Sequence, residues 1–389
     1  MIAPASPTDL VGLLPDDLVA LMAELGEKPF RAKQLWHWIY YRGATDFHAM
    51  TSLSATFRGK LAERFMISRP AVSRALTSVD ATRKWLFRFT DGREVETVYI
   101  PEEDRGAVCL SSQVGCTLTC RFCHTGTQTL VRNLTAAEII GQFLAVRDAC
   151  GAWPPAADRI ALLSNVVLMG MGEPLFNYDA VAVAVKILLD PEGLALSRRK
   201  VTLSTSGVVP LIHRLGEEVA CNLAISLHAA TDELRDTLMP INKKYPLAEL
   251  MAACRAYPPA SNARRITFEY ILLEGINDSA ADARAVARLV KGIPCKFNLI
   301  AFNPWPGASY APSSDATIQR FAEILNDAGY SAPVRVARGQ DIDAACGQLR
   351  SDSLRERLSR HKARLAAGIL DADPSYALQS DFRPSPIVP

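Results

Sequence analysis

The chain has 389 residues, 49% of them apolar and 22% charged, with a formal net charge of +2. That balance fits a soluble globular protein of two or three domains with ample material for a core. No apolar run is long enough to span a bilayer, and the start MIAPASPTDL lacks a basic stretch followed by a long apolar one, so neither a membrane-spanning helix nor a secretory signal is expected and the expected location is cytoplasmic.

In chain order, residues 1–14 read as a loose leader. Pro15-Asp16-Asp17 opens a helix, because proline tolerates the first turn and acids favour its positive end. Leu18, Leu21, Met22 and Leu25 repeat at helical spacing until Gly26 stops it. Pro29 opens a second helix through Ile39, and Leu53, Phe57, Leu61 and Phe65 form a third apolar stripe. Lys28–Arg88 holds twelve Lys/Arg and three Asp/Glu, a net of +9 that leaves the rest of the chain at −7. Residues 1–80 are therefore expected to be a small helical domain whose basic surface holds RNA by its phosphates.

Thr82–Ile100 alternates in the manner of two strands joined at Asp91-Gly92, so residues 81–101 read as a β-hairpin. Glu96 falls on an apolar face of the second strand. A carboxylate there is costly unless it is paired, for instance with Arg88 or Arg93, or used in chemistry. From residue 102 to residue 341 strand and helix signals alternate. Buried parallel strands are expected at Ala107–Ser111, Val166–Met169, Val201–Ser204, Leu223–Leu227, Ile266–Leu272 and Phe297–Ala301. Helices are expected between them, the first opened by the capping box Thr135-Ala136-Ala137-Glu138. Six βα units predict an α/β fold, a partial (β/α)6 barrel, with Pro333–Val336 as a further edge strand. Residues 342–389 supply a Gly-flanked loop around Cys346, a basic amphipathic stretch from Leu354 to Leu365, and a tail, Asp373–Pro389, expected to pack poorly.

Chemistry concentrates in Cys116-Thr117-Leu118-Thr119-Cys120-Arg121-Phe122-Cys123, spaced C-x3-C-x2-C. Soft thiolates suit iron–sulfur clusters, zinc or copper. Three of them can hold three irons of a [4Fe–4S] cube and leave the fourth open to the amine and carboxylate of S-adenosylmethionine. A zinc site would need His124, directly beside Cys123, as a fourth ligand, whereas structural zinc usually takes two short pairs across a longer gap. The nine cysteines, odd in number and scattered, do not form a disulfide framework. Any disulfide should be transient and catalytic. Given the strand assignments, Gly172-Glu173, Ser204, Ser226-Leu227-His228 and Asn303 all fall at the carboxyl ends of strands, where parallel barrels gather their reactive groups.

The motif resembles that of the radical S-adenosylmethionine (SAM) enzymes. The stretches CLSSQVGCTLTCRFCHTG, NVVLMGMGEPLFN, KVTLSTSGVVP, AISLHAATDELRDTLMPINKKYPL and AFNPWPG are together similar to the RlmN family, over about Leu18 to about Leu349. The resemblance implies a TIM-type radical SAM barrel and methylation of adenosine C2 in 23S rRNA, at the peptidyl-transferase centre, and in tRNA, next to the anticodon. It implies a [4Fe–4S] cluster on Cys116, Cys120 and Cys123, and two SAM per turnover. SAM would be bound by Gly172, Glu173, Ser204, Ser226, Leu227, His228 and Asn303. Cys346 would carry the methyl as a thioether, Glu96 would accept the C2 proton, and Cys109 would form a disulfide with Cys346. The electron donor would be a flavodoxin or ferredoxin, and a monomer suffices. Alternatives are the related C8-methylating, Cfr-type rRNA enzymes and a non-catalytic zinc module that binds RNA.

Overall fold

A computed structural model describes residues 7–103, 105–154, 160–258 and 266–351. The N-terminal region begins with β1 (Thr8–Asp9), α1 (Pro15–Glu24) and α2 (Phe30–Trp36), which runs on as a π-turn, His37–Tyr41. It ends with α3 (Ala55–Arg64) and β2 (Phe65–Met66), the latter parallel to β1. The Asp17 carboxylate accepts the Leu14 N–H at 2.8 Å, and Ser54 Oγ accepts the Phe57 N–H at 3.3 Å. These side chains satisfy backbone donors that the first turns leave free. Leu18, Met22, Leu35, Trp36, Phe57 and Leu61 are buried, so the apolar stripes form one core, as their spacing implies.

The chain then enters a ten-stranded sheet. β3 (Ala71–Thr77), β4 (Arg83–Arg88) and β5 (Glu94–Pro101) are antiparallel, and β5 pairs antiparallel with β6 (Gly106–Cys109). A short antiparallel pair, β7 (Gln113–Val114) and β8 (Arg132–Asn133), follows, and then α4 (Ala136–Ala149). The parallel succession continues through β9 (Asn165–Leu168), α5 (Tyr178–Leu189), β10 (Val201–Thr205), α6 (Val209–Glu218) and β11 (Asn222–Ser226). It is completed by α7 (Asp232–Leu238), α8 (Leu247–Ala256), β12 (Ile266–Leu272), α9 (Ala280–Leu289), β13 (Cys295–Ala301), α10 (Asp315–Asp327) and β14 (Val334–Arg335). The sheet order is β14-β13-β12-β11-β10-β9-β6-β5-β4-β3.

The six expected parallel strands therefore lie side by side in sequence order, as in a partial (β/α)6 barrel, with the hairpin strands β4 and β5 extending one edge and β14 the other. β3 was not expected. Its residues are almost all exposed, so it carries no buried face for periodicity to reveal.

After β14 the chain returns to the opposite edge. Arg338 Nε lies 2.9 Å from Asp80 Oδ2, the Gly339 N–H donates to the same oxygen at 3.0 Å, and the Ser78 hydroxyl donates to Asp341. Residues 338–351 thus span the open side between β14 and β3–β5. The stretch Leu354–Leu365 and the tail Asp373–Pro389 lie outside the described residues. Among those residues no helix is long and apolar enough to cross a membrane.

Candidate active site

The cysteine loop is shaped before any ligand enters. β7 and β8 close its base, and the Cys116 N–H donates to Gln128 C=O at 3.4 Å. Gly115 takes φ +79°, and a Cβ there would lie 2.3 Å from Thr129 O. A Cβ on Gly126 would lie 2.6 Å from Cys120 O. Only glycine fits such approaches. Cys116, Cys120 and Cys123 line one cavity. Burial pushes the Cys116 thiol up to about 12, with Cys123 and Glu173 adding to the rise, and it pushes Cys120 up as well, with Cys123 and Cys116 adding. The three thiols are therefore near neighbours in an apolar setting, a donor set that fits an iron–sulfur cluster. Among the described residues no group of three or more His, Cys, Asp or Glu side chains is arranged to hold a single metal ion. His124, the fourth ligand a zinc site would need, instead stacks on Trp305 with ring centroids 4.8 Å apart.

The same cavity is lined by Gly172, Glu173, Ser204, Ser226, His228 and Cys346, so the sheet brings together most of the expected positions. Gly172 takes φ +97°, and a Cβ there would meet Gln113 Cβ at 2.5 Å. Glu173 is buried; its Oε1 accepts the Leu175 N–H at 3.1 Å and its Oε2 the Ser206 N–H at 2.8 Å. Burial raises its pKa against those two bonds, so a ligand ammonium would recover charge stabilisation here. His228 Nδ1 accepts the Ile271 N–H at 3.0 Å, and burial, reinforced by Arg235, lowers its pKa to about 3. The imidazole is thus neutral, with Nε2–H as its free donor.

Two expected SAM positions sit differently. Leu227 is fully buried in the core; its N–H donates to Glu269 C=O at 3.0 Å, and its C=O accepts from Arg235 Nε and the Ala229 N–H. Its backbone polar groups are thus engaged within the protein, so Leu227 fixes the strand end on which Ser226 and His228 stand. Asn303 turns toward the Cys346 segment: Nδ2 donates to Cys346 C=O at 3.2 Å, and Oδ1 accepts from Gln340 Nε2 at 3.1 Å.

All nine cysteines are free thiols. The surface that Cys346 exposes faces the cavity, while surrounding protein raises its pKa, with Glu269, Cys109 and Cys123 adding to the rise. Cys109 ends β6, opposite Val98, and burial pushes its thiol up to about 12. Glu96 is buried outside that cavity lining. Its partner is Lys84, with Nζ 2.9 Å from Oε1, and neither Arg88 nor Arg93 as expected. The strand register explains the difference. Arg88 stands directly opposite Glu94 and pairs with it at 2.6 Å, whereas Lys84 lies diagonal to Glu96 on the same face. Burial raises the Glu96 pKa, opposed chiefly by Lys84 and then by the Arg350 N–H.

Sequence reasoning missed four residues here. Gln113 Oε1 accepts the Glu173 N–H at 3.0 Å and the Thr117 N–H at 3.2 Å, joining the Gly-Glu turn to the cysteine loop. Arg235 is fully buried and donates to the carbonyls of Ser206, Ser226 and Leu227. Lys84 and Glu269 are the others. Glu269, a carboxylate inside the apolar strand ITFEYIL, meets the same criterion that singled out Glu96.

Six ordered parallel strands, a three-cysteine loop after the first and a Gly-Glu-Pro turn after the second define a radical SAM protein. Family models agree: "Ribosomal RNA large subunit methyltransferase N-terminal domain" matches residues 8–67, and "Radical SAM superfamily" matches residues 110–286. A crystal structure of a radical SAM methyltransferase from Sphaerobacter thermophilus superposes with a TM-score of 0.82 at 44% identity, covering 88% of this chain and 99% of that one. The dual-specificity RNA methyltransferase RlmN of Rhodospirillum rubrum is 68% identical over 94% of this chain and 86% of its own. That of Paramagnetospirillum magneticum is 65% identical over 94% and 81%. The chain belongs to the RlmN family of dual-specificity RNA methyltransferases. Membership of the radical SAM superfamily implies SAM and a [4Fe–4S] cluster.

Proposed function

We propose that this protein methylates C2 of adenosine in 23S rRNA and in tRNA through a methyl-carrying Cys346 and a transient Cys109–Cys346 disulfide. Support comes from the family relationship and, above all, from Cys346 facing the same cavity as the three cluster thiols. Cys116, Cys120 and Cys123 would hold the cluster, and Gly172, Glu173, Ser204, Ser226, Leu227, His228 and Asn303 would hold SAM. Together these groups supply a transferable methyl and, on reduction, a carbon radical able to attack an electron-poor carbon.

The chain's own residues do the rest. Cys346 accepts a methyl on sulfur and, once that group is activated, carries it to C2. Glu96 takes the C2 proton. The Cys109 thiol gives up its proton and its sulfur attacks the Cys346 sulfur; the sulfur–carbon bond breaks, and the departing carbon takes up a proton to become the product methyl group. Two SAM would be used per turnover, one for the methyl and one for activation. The adenine must be unstacked to expose C2, and the basic N-terminal region contributes phosphate contacts. The protein would act in the cytoplasm as a monomer, with a flavodoxin or ferredoxin as donor.

Anaerobic reconstitution with rRNA and tRNA fragments, followed by nucleoside analysis, tests this reading. The expected product is 2-methyladenosine; 8-methyladenosine would overturn the assignment of the carbon. Cys346→Ala should abolish methylation while keeping the cluster absorbance, and full activity in that variant would overturn the carrier role.

A further inference from the structure

One ion pair holds both ends of the segment that carries Cys346. Lys84 Nζ lies 2.9 Å from Glu96 Oε1 and also donates to Asp343 C=O at 2.9 Å. Glu96 Oε2 accepts the Arg350 N–H at 2.8 Å. Asp343 and Arg350 flank Cys346 on either side. Asp343 (φ 52°) and Gly347 (φ 86°) are left-handed, so the loop turns sharply before and after the thiol. Both side chains of the pair are buried, 8% and 9% exposed. Burying an ion pair this deeply is favourable only when its remaining donors and acceptors are used, and here they are used on the loop. Lys84 itself is not among the residues lining the cavity.

We propose that Lys84 is a positioning residue: its ammonium clasps Glu96 and the Cys346 loop into one unit, so that proton acceptor and methyl carrier reach the adenine together. This rests on the reading of Glu96 and Cys346 given above. A proton acceptor must be ionised to act. Burial opposes ionisation of Glu96, and the Lys84 ammonium is the strongest influence the other way. When Glu96 takes a proton its charge disappears. Charge-assisted bonds are roughly twice as strong as neutral ones, so the hold of Glu96 on Lys84 and on the Arg350 N–H weakens while Lys84 keeps its bond to Asp343. That loosening falls at the step after which the Cys346 sulfur must meet Cys109.

The test uses full-length, reconstituted Lys84→Gln and Lys84→Arg. It reads three quantities separately: S-methylation of Cys346 by peptide mass, formation of the covalent enzyme–RNA adduct, and conversion of that adduct to methylated RNA. Lys84→Gln should load Cys346 at the wild-type rate but convert the adduct about tenfold or more slowly, so that adduct accumulates. Lys84→Arg, which keeps the charge, should convert faster than Lys84→Gln. Loading slowed as much as conversion, or conversion at the wild-type rate in Lys84→Gln, overturns the clasp. A Glu96→Gln arm separates the two levels. Wild-type conversion there removes the proton-acceptor reading itself. Slow conversion there, with wild-type conversion in Lys84→Gln, removes the clasp alone.

Discussion

At position 172 even a methyl group would collide with Gln113, and the backbone already takes φ +97°. Gly172→Ala is expected to destabilise the protein by about 1–3 kcal/mol and to weaken SAM binding, because the turn that presents Glu173 would have to shift. Chemical unfolding and equilibrium binding check the two effects; unchanged values for both would show that the turn relaxes freely. The thiols were legible in the sequence because their spacing is local and their chemistry specific. The partner of Glu96 was not, because it depends on which residue of β4 stands diagonal to it. The partners of Leu227 were hidden for a related reason: a strand-end position in the sequence does not reveal that its N–H and C=O are engaged by Glu269 and Arg235.

Among the elements, the buried parallel strands announced themselves as apolar runs, and the helices between them by spacing and caps. α7 did not. Its seven residues, DELRDTL, offer only two leucines for a periodic signal. Yet this short helix supplies Arg235, whose guanidinium ties the ends of β10 and β11 where Ser206 and Ser226 lie. Arg235→Met would leave those buried carbonyls without their donor. Two acceptors left unmet cost about 1–3 kcal/mol each, so a loss of at least about 2 kcal/mol is expected in unfolding experiments. A stability change below about 1 kcal/mol would mean that water or neighbouring groups replace the guanidinium.

Across the whole molecule, pH should act through buried carboxyls. Burial pushes Glu269 up to about 7 from an ordinary 4.5, despite a bond from Asn298 Nδ2 at 2.7 Å. A carboxyl whose folded pKa exceeds its unfolded one binds its proton more tightly in the native state. Its contribution is therefore most favourable below the unfolded value and declines as pH rises toward the folded one. Between about pH 4.5 and about pH 7 the cofactor-free protein should lose on the order of 3 kcal/mol relative to Glu269→Gln. Parallel stability–pH curves for the two proteins would contradict this.

The return of residues 338–351 across the open side of the sheet also sets an order of assembly. The Gly347 carbonyl accepts the His124 N–H, and the Leu349 carbonyl accepts the Thr125 hydroxyl across 224 residues of sequence. Gln128 bonds to Ser351 in the same way. On the ribosome the thiol loop emerges long before the strap that covers it, and contacts so distant in sequence are the slowest to close. During synthesis there is accordingly an interval in which the barrel strands can pair while the three thiols remain uncovered on that side. Insertion of iron and sulfide would meet the least obstruction then, before the later-made strap brings Cys346 over the site.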